Sequence, residues 1–320
     1  MRRVLVLGGT GWLGREISRR AVDRGSEVFC LARGQSGDIA DGAHHIRADR
    51  TSTGAYDEVK TEWDDVVELA SEPSLVEPAL DALAEHAAHW TLVSSVSVYM
   101  RNDEPGADES AQLVEPHDLS HYADAKVAAE TSSARALGDR LLIARPGLIV
   151  GPGDPSDRFG YWLARLSRPG PALVPTPDRR FVQGIDIADL AAWIERAGRE
   201  GVTGAINAVG DVHRMQDFFS AAVEATGYKG ELVPAEDEFL RARGVDYWAG
   251  PRSLPLWLPE TDTAFMQRSG SAFLAAGGIL TDLEHTFARV LADETSRGVL
   301  RERRAGLTPA DELAILEAAR

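Results

Sequence analysis

Three glycines at three-residue spacing follow the first apolar run of the chain, and they constrain its fold more than any other feature. Residues 4–7 predict a β-strand, and Gly8, Gly11 and Gly14 come next, at the head of a helical pattern. The first glycine allows a tight strand-to-helix turn, the second lets the backbone approach a pyrophosphate, and the third lets helix and strand pack closely. Backbone N–H groups at the helix N-terminus then face phosphate oxygens. The pattern predicts a dinucleotide-binding βαβ unit, completed by a second strand at 28–32.

Strand-like and helix-like segments alternate through the first two thirds of the chain. This alternation predicts an α/β fold of the Rossmann type, a doubly wound parallel sheet. The further predicted strands are 45–48, 65–69, 90–94, 141–144 and 205–209, with helices at 75–88 and 120–136.

Turn-forming residues at 151–155 and 168–177 indicate that the chain leaves the sheet there. We therefore predict a dinucleotide-binding domain of residues 1–150 plus about 184–210. A smaller C-terminal α/β substrate lobe would comprise about 151–183 plus 211–320. Its predicted helices are 215–226, 282–295 and 309–319, the last capped by Thr308, and the charge-rich end from about residue 301 reads as solvated.

The charge of the chain argues against a nucleic-acid partner. Its 34 Lys and Arg residues against 50 Asp and Glu residues give a net charge of −16, which phosphate backbones repel. Phosphates of a cofactor would need local cations, for which Arg15, Arg33 and the Arg179-Arg180 pair are candidates. No apolar run approaches the ~18 residues of a membrane span, and the N-terminus lacks the pattern of a signal peptide. We expect a cytoplasmic protein without membrane contact.

Cysteine and histidine usage indicates neither disulfide nor metal chemistry. The single cysteine, Cys30, falls inside the second predicted strand and is expected to be a small buried apolar residue. The pairs His86/His89 and His117/His121 have no third ligand at metal spacing, so we interpret them as helix surface or cleft lip and assign no metal.

A serine, a tyrosine and a lysine carry the predicted chemistry. Ser95 follows the fifth predicted strand, where folds of this type bind ligands, and could donate a hydrogen bond to a substrate oxygen. Tyr122 and Lys126 are four residues apart at the head of the next helix and therefore share a face. A lysine there, beside a positively charged nicotinamide, favours the phenolate and lowers the tyrosine pKa from about 10. Tyr122 is then a usable acid or base.

These motifs together resemble the extended short-chain dehydrogenase/reductase family, which includes NAD-dependent epimerases, dehydratases and carbonyl reductases. The resemblance covers most of the first 210 residues and includes Arg145-Pro146 followed by Gly151-Pro152. It implies that Tyr122 is the catalytic acid/base, that Lys126 holds the nicotinamide ribose, and that Ser95 orients the reacting oxygen. It also implies a homodimer through two long helices. The predicted cofactor-binding residues are Gly8, Thr10, Gly11, Trp12, Leu13, Gly14, Arg33, Asp49, Lys126, Pro146 and Ile149.

The end of the second strand bears on the choice between NADP and NAD. NAD-preferring enzymes usually place a carboxylate there, for the ribose hydroxyls. Here the segment 31–34 has none, and Arg33 offers a planar cation suited to a 2′-phosphate, with Arg15 as possible support. We predict NADP(H), with NAD as the alternative. Asp49 either touches the adenine, as the resemblance implies, or is a solvated loop residue.

The resemblance also narrows the reaction. Dehydratases of the family carry an acidic residue where this chain has Val96 and Ser97, so we disfavour that reaction. We predict an NADP(H)-dependent oxidoreductase that reduces a carbonyl, or oxidises the alcohol, of a small metabolite. The alternatives are a nucleotide-sugar epimerase with tightly held NAD and a non-catalytic NADP-binding sensor or interaction protein.

Fewer residues can be assigned to substrate binding than to cofactor binding. Ser97, Arg158 and Tyr161 are the candidate substrate residues, with Arg158 available for an anionic group. Trp248 and residues 255–259 either roof the cleft or pack the small lobe. Asp186 and Asp189 are interpreted as helix caps rather than catalytic carboxylates.

Overall fold

The computed structural model describes residues 1–319. Their strands are β1 Arg3–Leu7, β2 Glu27–Ala32, β3 His44–Arg47, β4 Asp65–Glu68, β5 Trp90–Val93, β6 Leu141–Pro146, β7 Leu148–Val150, β8 Ala172–Pro175, β9 Phe181–Asp186, β10 Gly204–Ala208, β11 Val212–Arg214, β12 Leu232–Ala235, β13 Asp246–Trp248 and β14 Ser253–Pro255. Their helices are α1 Trp12–Asp23, α2 Pro73–Leu83, α3 Tyr122–Leu137, α4 Arg158–Leu166, α5 Ile187–Glu200, α6 Met215–Thr226, α7 Asp237–Ala242, α8 Ser271–Ala275, α9 Leu283–Arg297 and α10 Pro309–Ala318.

A seven-stranded parallel sheet forms the centre of the molecule, in the order β10-β6-β5-β4-β1-β2-β3. The predicted Rossmann-type fold is therefore confirmed. The strand order reverses between β1 and β4, and ligands of such sheets bind outside the carboxyl ends of the strands at this point. The glycine turn after β1 opens onto this crevice.

Helices cover both faces of the sheet because its strands are apolar on both sides. Helices α1 and α5 pack together on one face, and α2 and α3 on the other. Cys30 lies in the core beneath α1, fully buried as predicted. No helix within residues 1–319 is long and apolar enough to cross a bilayer.

The small lobe has its own aromatic core. Phe159, Phe218 and Phe287 contact one another, and Trp162 packs edge-on against Phe219. Three short sheets flank this core, β11-β9-β7, β12-β8 and β13-β14. Helices α6, α9 and α10 occupy the predicted segments to within two residues at each end. Thr308 caps α10 by accepting the Asp311 N–H, as predicted.

Two charged groups expected at the surface are buried instead. His89 is buried at the amino-terminal end of β5, where it contacts the Asp65 carboxylate (Nδ1–Oδ1 2.8 Å) and the Val202 carbonyl (Nε2–O 2.8 Å), so the interpretation of His89 as helix surface or cleft lip was wrong. The chain end is likewise not simply solvated. Glu312 is buried and paired with Arg165, because α10 packs on β8.

Asp186 is a helix cap and Asp189 is not. The Asp186 side chain accepts the Ala188 N–H at the start of α5 (2.8 Å). Asp189 instead accepts hydrogen bonds from the backbone and hydroxyl of Thr281, tying α5 to the segment before α9.

Candidate active site

Two cavities meet at the glycine turn and form one cleft along the carboxyl ends of the strands. One is about 410 Å³ and extends over β2 and β3, and the other is about 610 Å³ and extends over β5 and β6 toward the small lobe. Gly8, Gly11 and Leu69 border both cavities. This shape matches an elongated ligand whose two halves are joined at the glycine turn.

The turn is built so closely that side chains are excluded. Gly8 has φ +105°, a conformation that favours glycine. A Cβ on Gly14 would lie 2.5 Å from the Gly8 carbonyl oxygen, and one on Gly9 would lie 2.4 Å from the Cys30 sulfur. A Cβ on Gly11 would meet only that carbonyl, at 3.4 Å, which leaves the surface of the turn open to the cleft. This cradle fits the pyrophosphate of a dinucleotide.

The smaller cavity contains three of the predicted cofactor residues, Thr10, Arg33 and Asp49. Arg33 follows β2 and is exposed, and no carboxylate among residues 1–319 forms a salt bridge with it. The Asp49 carboxylate accepts the backbone N–H and hydroxyl of Thr51 (3.0 and 2.7 Å). These two hydrogen bonds, with a smaller contribution from Arg33, lower the pKa of Asp49. Arg33 is thus a cation at this wall that acts on Asp49 without forming a salt bridge within residues 1–319.

A buried ion pair that the sequence analysis missed supports the same wall. Arg50 pairs bidentately with Glu68 at the end of β4, and the Arg50 Nη1–Glu68 Oε1 distance is 3.0 Å. Arg50 also donates to Tyr56 and to the Leu75 carbonyl. The two charged residues are 18 positions apart, and only the placement of β4 beside β1 brings them together.

Ser95, Tyr122 and Lys126 all border the larger cavity. Ser95 follows β5, and its hydroxyl accepts the Ser97 N–H and donates to the Ser97 hydroxyl, both at 3.1 Å. Tyr122 is the first residue of α3 and is 57% exposed, whereas Lys126 is 4% exposed. The Lys126 ammonium donates to the Val93 carbonyl (2.8 Å) and lies 5.6 Å from the centre of the Tyr122 ring.

Burial shifts the pKa values of both side chains in the protein itself, whereas the sequence expectation for Tyr122 concerned the state with a positively charged nicotinamide beside it. Although the Tyr122 ring is open to solvent on one side, the protein atoms around it in the cleft raise the pKa of its hydroxyl, and the Ser95 hydroxyl offsets this only in part. Burial lowers the pKa of Lys126 to about 8, against the opposing effect of three glutamates. In this structure Tyr122 is a protonated phenol at neutral pH and Lys126 is mostly charged.

A buried polar network lies behind these three candidate catalytic residues. Glu130, one turn after Lys126, accepts from the Ser94 hydroxyl (2.5 Å) and bidentately from Arg145 (3.0 and 2.7 Å). Arg145 also donates to the Tyr99 hydroxyl (3.0 Å). The network ties α3 to the ends of β5 and β6 and so holds the elements that carry Ser95 and Lys126 in one geometry.

The remaining predicted cofactor residues line the larger cavity. These are Trp12, Leu13, Pro146 and Ile149. Trp12 donates through its indole N–H to the Pro152 carbonyl (2.8 Å), which joins the glycine turn to the loop after β7.

The structure brings two of the three candidate substrate residues into the cleft. Ser97 and Arg158 border the larger cavity. Tyr161 does not, because it is 4% exposed and its ring packs edge-on against Trp162 (5.0 Å) in the core of the small lobe. Arg158 borders the cleft because it begins α4, whereas Tyr161 lies one turn further along the helix, where all residues are buried in the small lobe.

The aromatic segment near residue 250 lies partly at the cleft and partly in the core of the small lobe. Trp248 borders the cavity, and Trp257 is fully buried. Phe265 also borders the cavity and contacts Trp248 edge-on (5.5 Å). Sequence analysis missed Phe265 because it lies in a 3-10 turn, Glu260–Met266, without any motif or periodicity.

Comparisons with known proteins identify the family of the chain. The family model described as "NAD dependent epimerase/dehydratase family" matches residues 4–210. The chain is 27% identical over 275 residues to "Chloroplast stem-loop binding protein of 41 kDa b" of Arabidopsis thaliana, covering 77% of this chain and 70% of that protein.

Two solved structures share the fold over most of both chains. The Bordetella bronchiseptica enzyme WbmH in complex with NAD+ matches with a TM-score of 0.68 and 18% identity, over 93% of this chain and 99% of that one. The Thermus thermophilus UDP-glucose 4-epimerase complex with NAD matches with a TM-score of 0.61 and 18% identity, over 92% and 100%. The family model covers well over half of the chain, so the chain belongs to the NAD-dependent epimerase/dehydratase family.

Proposed function

We propose that the protein is an NADP(H)-dependent oxidoreductase that reduces a carbonyl, or oxidises the corresponding alcohol, of a small metabolite. The observation that carries the proposal is the placement of Ser95, Tyr122 and Lys126 around one cavity that begins at the glycine turn. Membership of the epimerase/dehydratase family supports a nicotinamide-dependent enzyme.

The side chains around this cavity are suited to polarise and protonate a carbonyl oxygen. A bound nicotinamide would supply the hydride for the carbonyl carbon. The Ser95 hydroxyl can donate a hydrogen bond to the oxygen as negative charge develops on it. Tyr122, with its pKa above the ordinary value, holds the proton that the developing alkoxide takes up. The Lys126 ammonium stabilises the phenolate that remains.

The phenol form of Tyr122 is the form that carbonyl reduction uses. Removal of a proton from an alcohol needs a phenolate, and the raised pKa of Tyr122 disfavours that form. Proton donation to a carbonyl needs the phenol, which is the form present at neutral pH.

NADP(H) is proposed over NAD(H) because of Arg33. This exposed guanidinium borders the smaller cavity at the end of β2, the position at which NAD-preferring proteins usually carry a carboxylate. Thr10, Gly11 and Asp49 would surround the same arm of the cofactor, and Trp12, Leu13, Pro146 and Ile149 the other arm.

A nucleotide-sugar epimerase with tightly held NAD is the second candidate. It is supported by the solved structures of this fold, which include UDP-glucose 4-epimerases. The stem-loop binding described for the Arabidopsis relative is not proposed here, because a net charge of −16 disfavours contact with a phosphate backbone.

A paired cofactor titration tests the proposal. The purified protein would first be analysed for nucleotide that it carries, then stripped and titrated with NADPH and NADH by fluorescence. We expect NADPH to bind in the low micromolar range or tighter, and NADH to bind at least about tenfold more weakly. Carbonyl-dependent oxidation of NADPH would follow as the activity readout. NAD carried through purification, with no exchange, would instead favour the epimerase, and binding of neither nucleotide would contradict both candidates.

A further inference from the structure

We infer that Arg158 is an anion-recognition residue and that the substrate carries a carboxylate group bound by it, in the same cavity as the reacting carbonyl. This inference rests on the proposed function for the identity of the reaction. It adds the substrate class, an oxo acid or hydroxy acid, and the wall of the cleft that recognises it.

Arg158 is a partly buried cation without an ionic partner. Its Nε donates to the Ser156 hydroxyl (3.1 Å), and no carboxylate among residues 1–319 forms a salt bridge with the guanidinium. Its two terminal nitrogens have no acceptor within that part of the chain. The more deeply buried Arg50, Arg145 and Arg165 are all paired with glutamates in this protein, whereas the half-buried Arg158 is not. The terminal nitrogens of Arg158 are therefore available to a ligand in the cleft.

The position of Arg158 is also electrostatically unfavourable, and the nearby Asp154 carboxylate offsets this only in part. It is the first residue of α4, where the positive end of the helix dipole disfavours a cation. Burial in the cleft wall adds a separate cost and lowers the pKa of Arg158. A bound anion would relieve both effects.

The side chain is held in place rather than free to turn to solvent. The guanidinium carbon lies 4.8 Å from the centre of the Trp248 ring. Ser156, which accepts from Arg158, itself donates to both carboxylate oxygens of Asp154 through its N–H and hydroxyl (2.8 and 2.9 Å). Such a preorganised fork suits bidentate recognition of a planar oxyanion.

Trp248 is placed in the cleft at a conformational cost. Its φ is +68°, in the left-handed region that a bulky residue seldom adopts. Phe265 supports the indole from its edge. The two rings give the anion-binding wall an apolar face for the carbon skeleton of the substrate.

The local charge favours a carboxylate over a phosphate. Arg158 borders this cavity together with Lys126, and the Asp154 carboxyl borders the same space. A dianionic phosphate would face one guanidinium and the repulsion of Asp154, whereas a singly charged carboxylate matches one guanidinium.

The test measures binding of small aromatic probes by calorimetry, with and without NADP+. The probes are benzoate, benzamide and phenyl phosphate, and the proteins are the wild type, Arg158→Gln, Arg158→Lys and a surface control, Arg19→Gln. Arg19 lies on α1 and pairs with Glu16 and Asp23 outside the cleft. Thermal unfolding of each variant verifies that it is folded. If Arg158→Gln is unstable, Arg158→Lys still tests the site, because it keeps the positive charge but not the planar guanidinium.

We expect benzoate to bind the wild type and the Arg19→Gln control equally, and at least about tenfold more tightly than benzamide. Arg158→Gln should remove this preference, and Arg158→Lys should retain part of it, because a lysine keeps the charge without the planar fork. Equal benzoate affinity in the wild type and Arg158→Gln, no benzoate binding at all, or tighter binding of phenyl phosphate would overturn the inference.

A second measurement separates this inference from the proposed function. NADPH oxidation would be followed with benzoylformate and with its methyl ester. Activity on the ester that equals activity on the acid would sink the carboxylate site and leave the oxidoreductase intact. Arg158-dependent benzoate binding in a protein that binds no NADPH would support the carboxylate site and contradict the proposed oxidoreductase function.

Discussion

The Lys126 ammonium lies 5.6 Å from the centre of the Tyr122 ring, one helical turn away, and is fixed there by a 2.8 Å hydrogen bond to the Val93 carbonyl. The lysine is buried and the tyrosine is open to the cleft. The charge therefore acts on the phenol from the protein side and leaves the hydroxyl free for a substrate. The pair therefore places Lys126, whose pKa is about 8, beside Tyr122, whose pKa is above its ordinary value.

This coupling predicts that carbonyl reduction weakens as the pH rises through about 8. Burial lowers the pKa of Lys126 to about 8, so above that pH the amine is increasingly neutral and no longer stabilises the phenolate. The measurement is the pH profile of kcat for the wild type and for Lys126→Arg. The arginine stays charged, so its profile should lack the break near pH 8, and a break of unchanged position would assign the titration to another group.

Replacement of Tyr122 by Phe should abolish proton donation and leave cofactor binding intact. We expect kcat to fall by roughly 10²- to 10⁴-fold, the usual range for loss of a general acid, with an unchanged Kd for NADPH. Tyr228→Phe is the matched control, since that hydroxyl contacts the Gly170 and Glu231 carbonyls away from the cleft. Full activity of Tyr122→Phe would leave the binding-protein alternative as the better account.

Arg33→Ala should weaken NADPH more than NADH. A guanidinium that contacts a 2′-phosphate contributes about 1.5–3 kcal/mol, so we expect a loss of roughly 10- to 100-fold for NADPH and little change for NADH. Fluorescence titration with both cofactors checks this, with Arg19→Ala as a control on the exposed face of α1. Equal losses for both cofactors would sink the assignment to NADP(H).

The sequence predicted those parts of the cleft that depend on local motifs. The turn at Gly8, the helical spacing of Tyr122 and Lys126, and the position of Ser95 after β5 are each encoded within a few residues. Strand order follows from the βαβ pattern, and it brings these local motifs to the same edge of the sheet.

What the sequence did not predict depends on contacts between distant segments. Phe265 reaches the cleft only because the small lobe folds back over it, and the Arg50–Glu68 pair forms only after β4 inserts beside β1. The error at Tyr161 has a different cause. Arg158 is the first residue of α4 and lies at the cleft wall, whereas every later residue of the helix, Tyr161 included, is buried in the small lobe.

The glycine turn allows fold and cofactor binding to be separated by mutation. Gly14→Ala would place a Cβ 2.5 Å from the Gly8 carbonyl, and we expect it to cost about 1–3 kcal/mol of unfolding free energy. Gly11 has φ −73° and room for a methyl group at 3.4 Å, so Gly11→Ala should stay within about 0.5 kcal/mol of the wild type. Its methyl would nevertheless stand where both cavities meet, so NADPH affinity should fall. Denaturant unfolding and cofactor titration of both variants check this, and normal NADPH binding by Gly11→Ala would contradict the placement of the pyrophosphate.

The His89–Asp65 pair predicts a pH dependence of stability that has nothing to do with catalysis. Both ring nitrogens of His89 face oxygen acceptors, Asp65 and the Val202 carbonyl, so both must carry protons. Burial lowers the pKa of His89, but these two partners outweigh burial and raise it above its ordinary value. A raised pKa means that the folded state holds the proton more tightly than the unfolded chain. The pair therefore stabilises fully below pH about 6.5, and the contribution is lost as the pH rises through the pKa of the folded state.

We expect His89→Gln to lower the free energy of unfolding by about 1–3 kcal/mol at pH about 6 and by less at pH about 9. His86→Gln is the matched control, because His86 pairs with Glu62 at 3.1 Å in the same manner but at the surface. Solvent screens that pair, so its loss should cost no more than about 1 kcal/mol. Denaturant unfolding of the three proteins at both pH values gives the comparison. A gap between the wild type and His89→Gln that stays constant with pH would mean that His89 is held neutral, with one ring nitrogen facing a carbonyl or carboxylate oxygen without a proton between them.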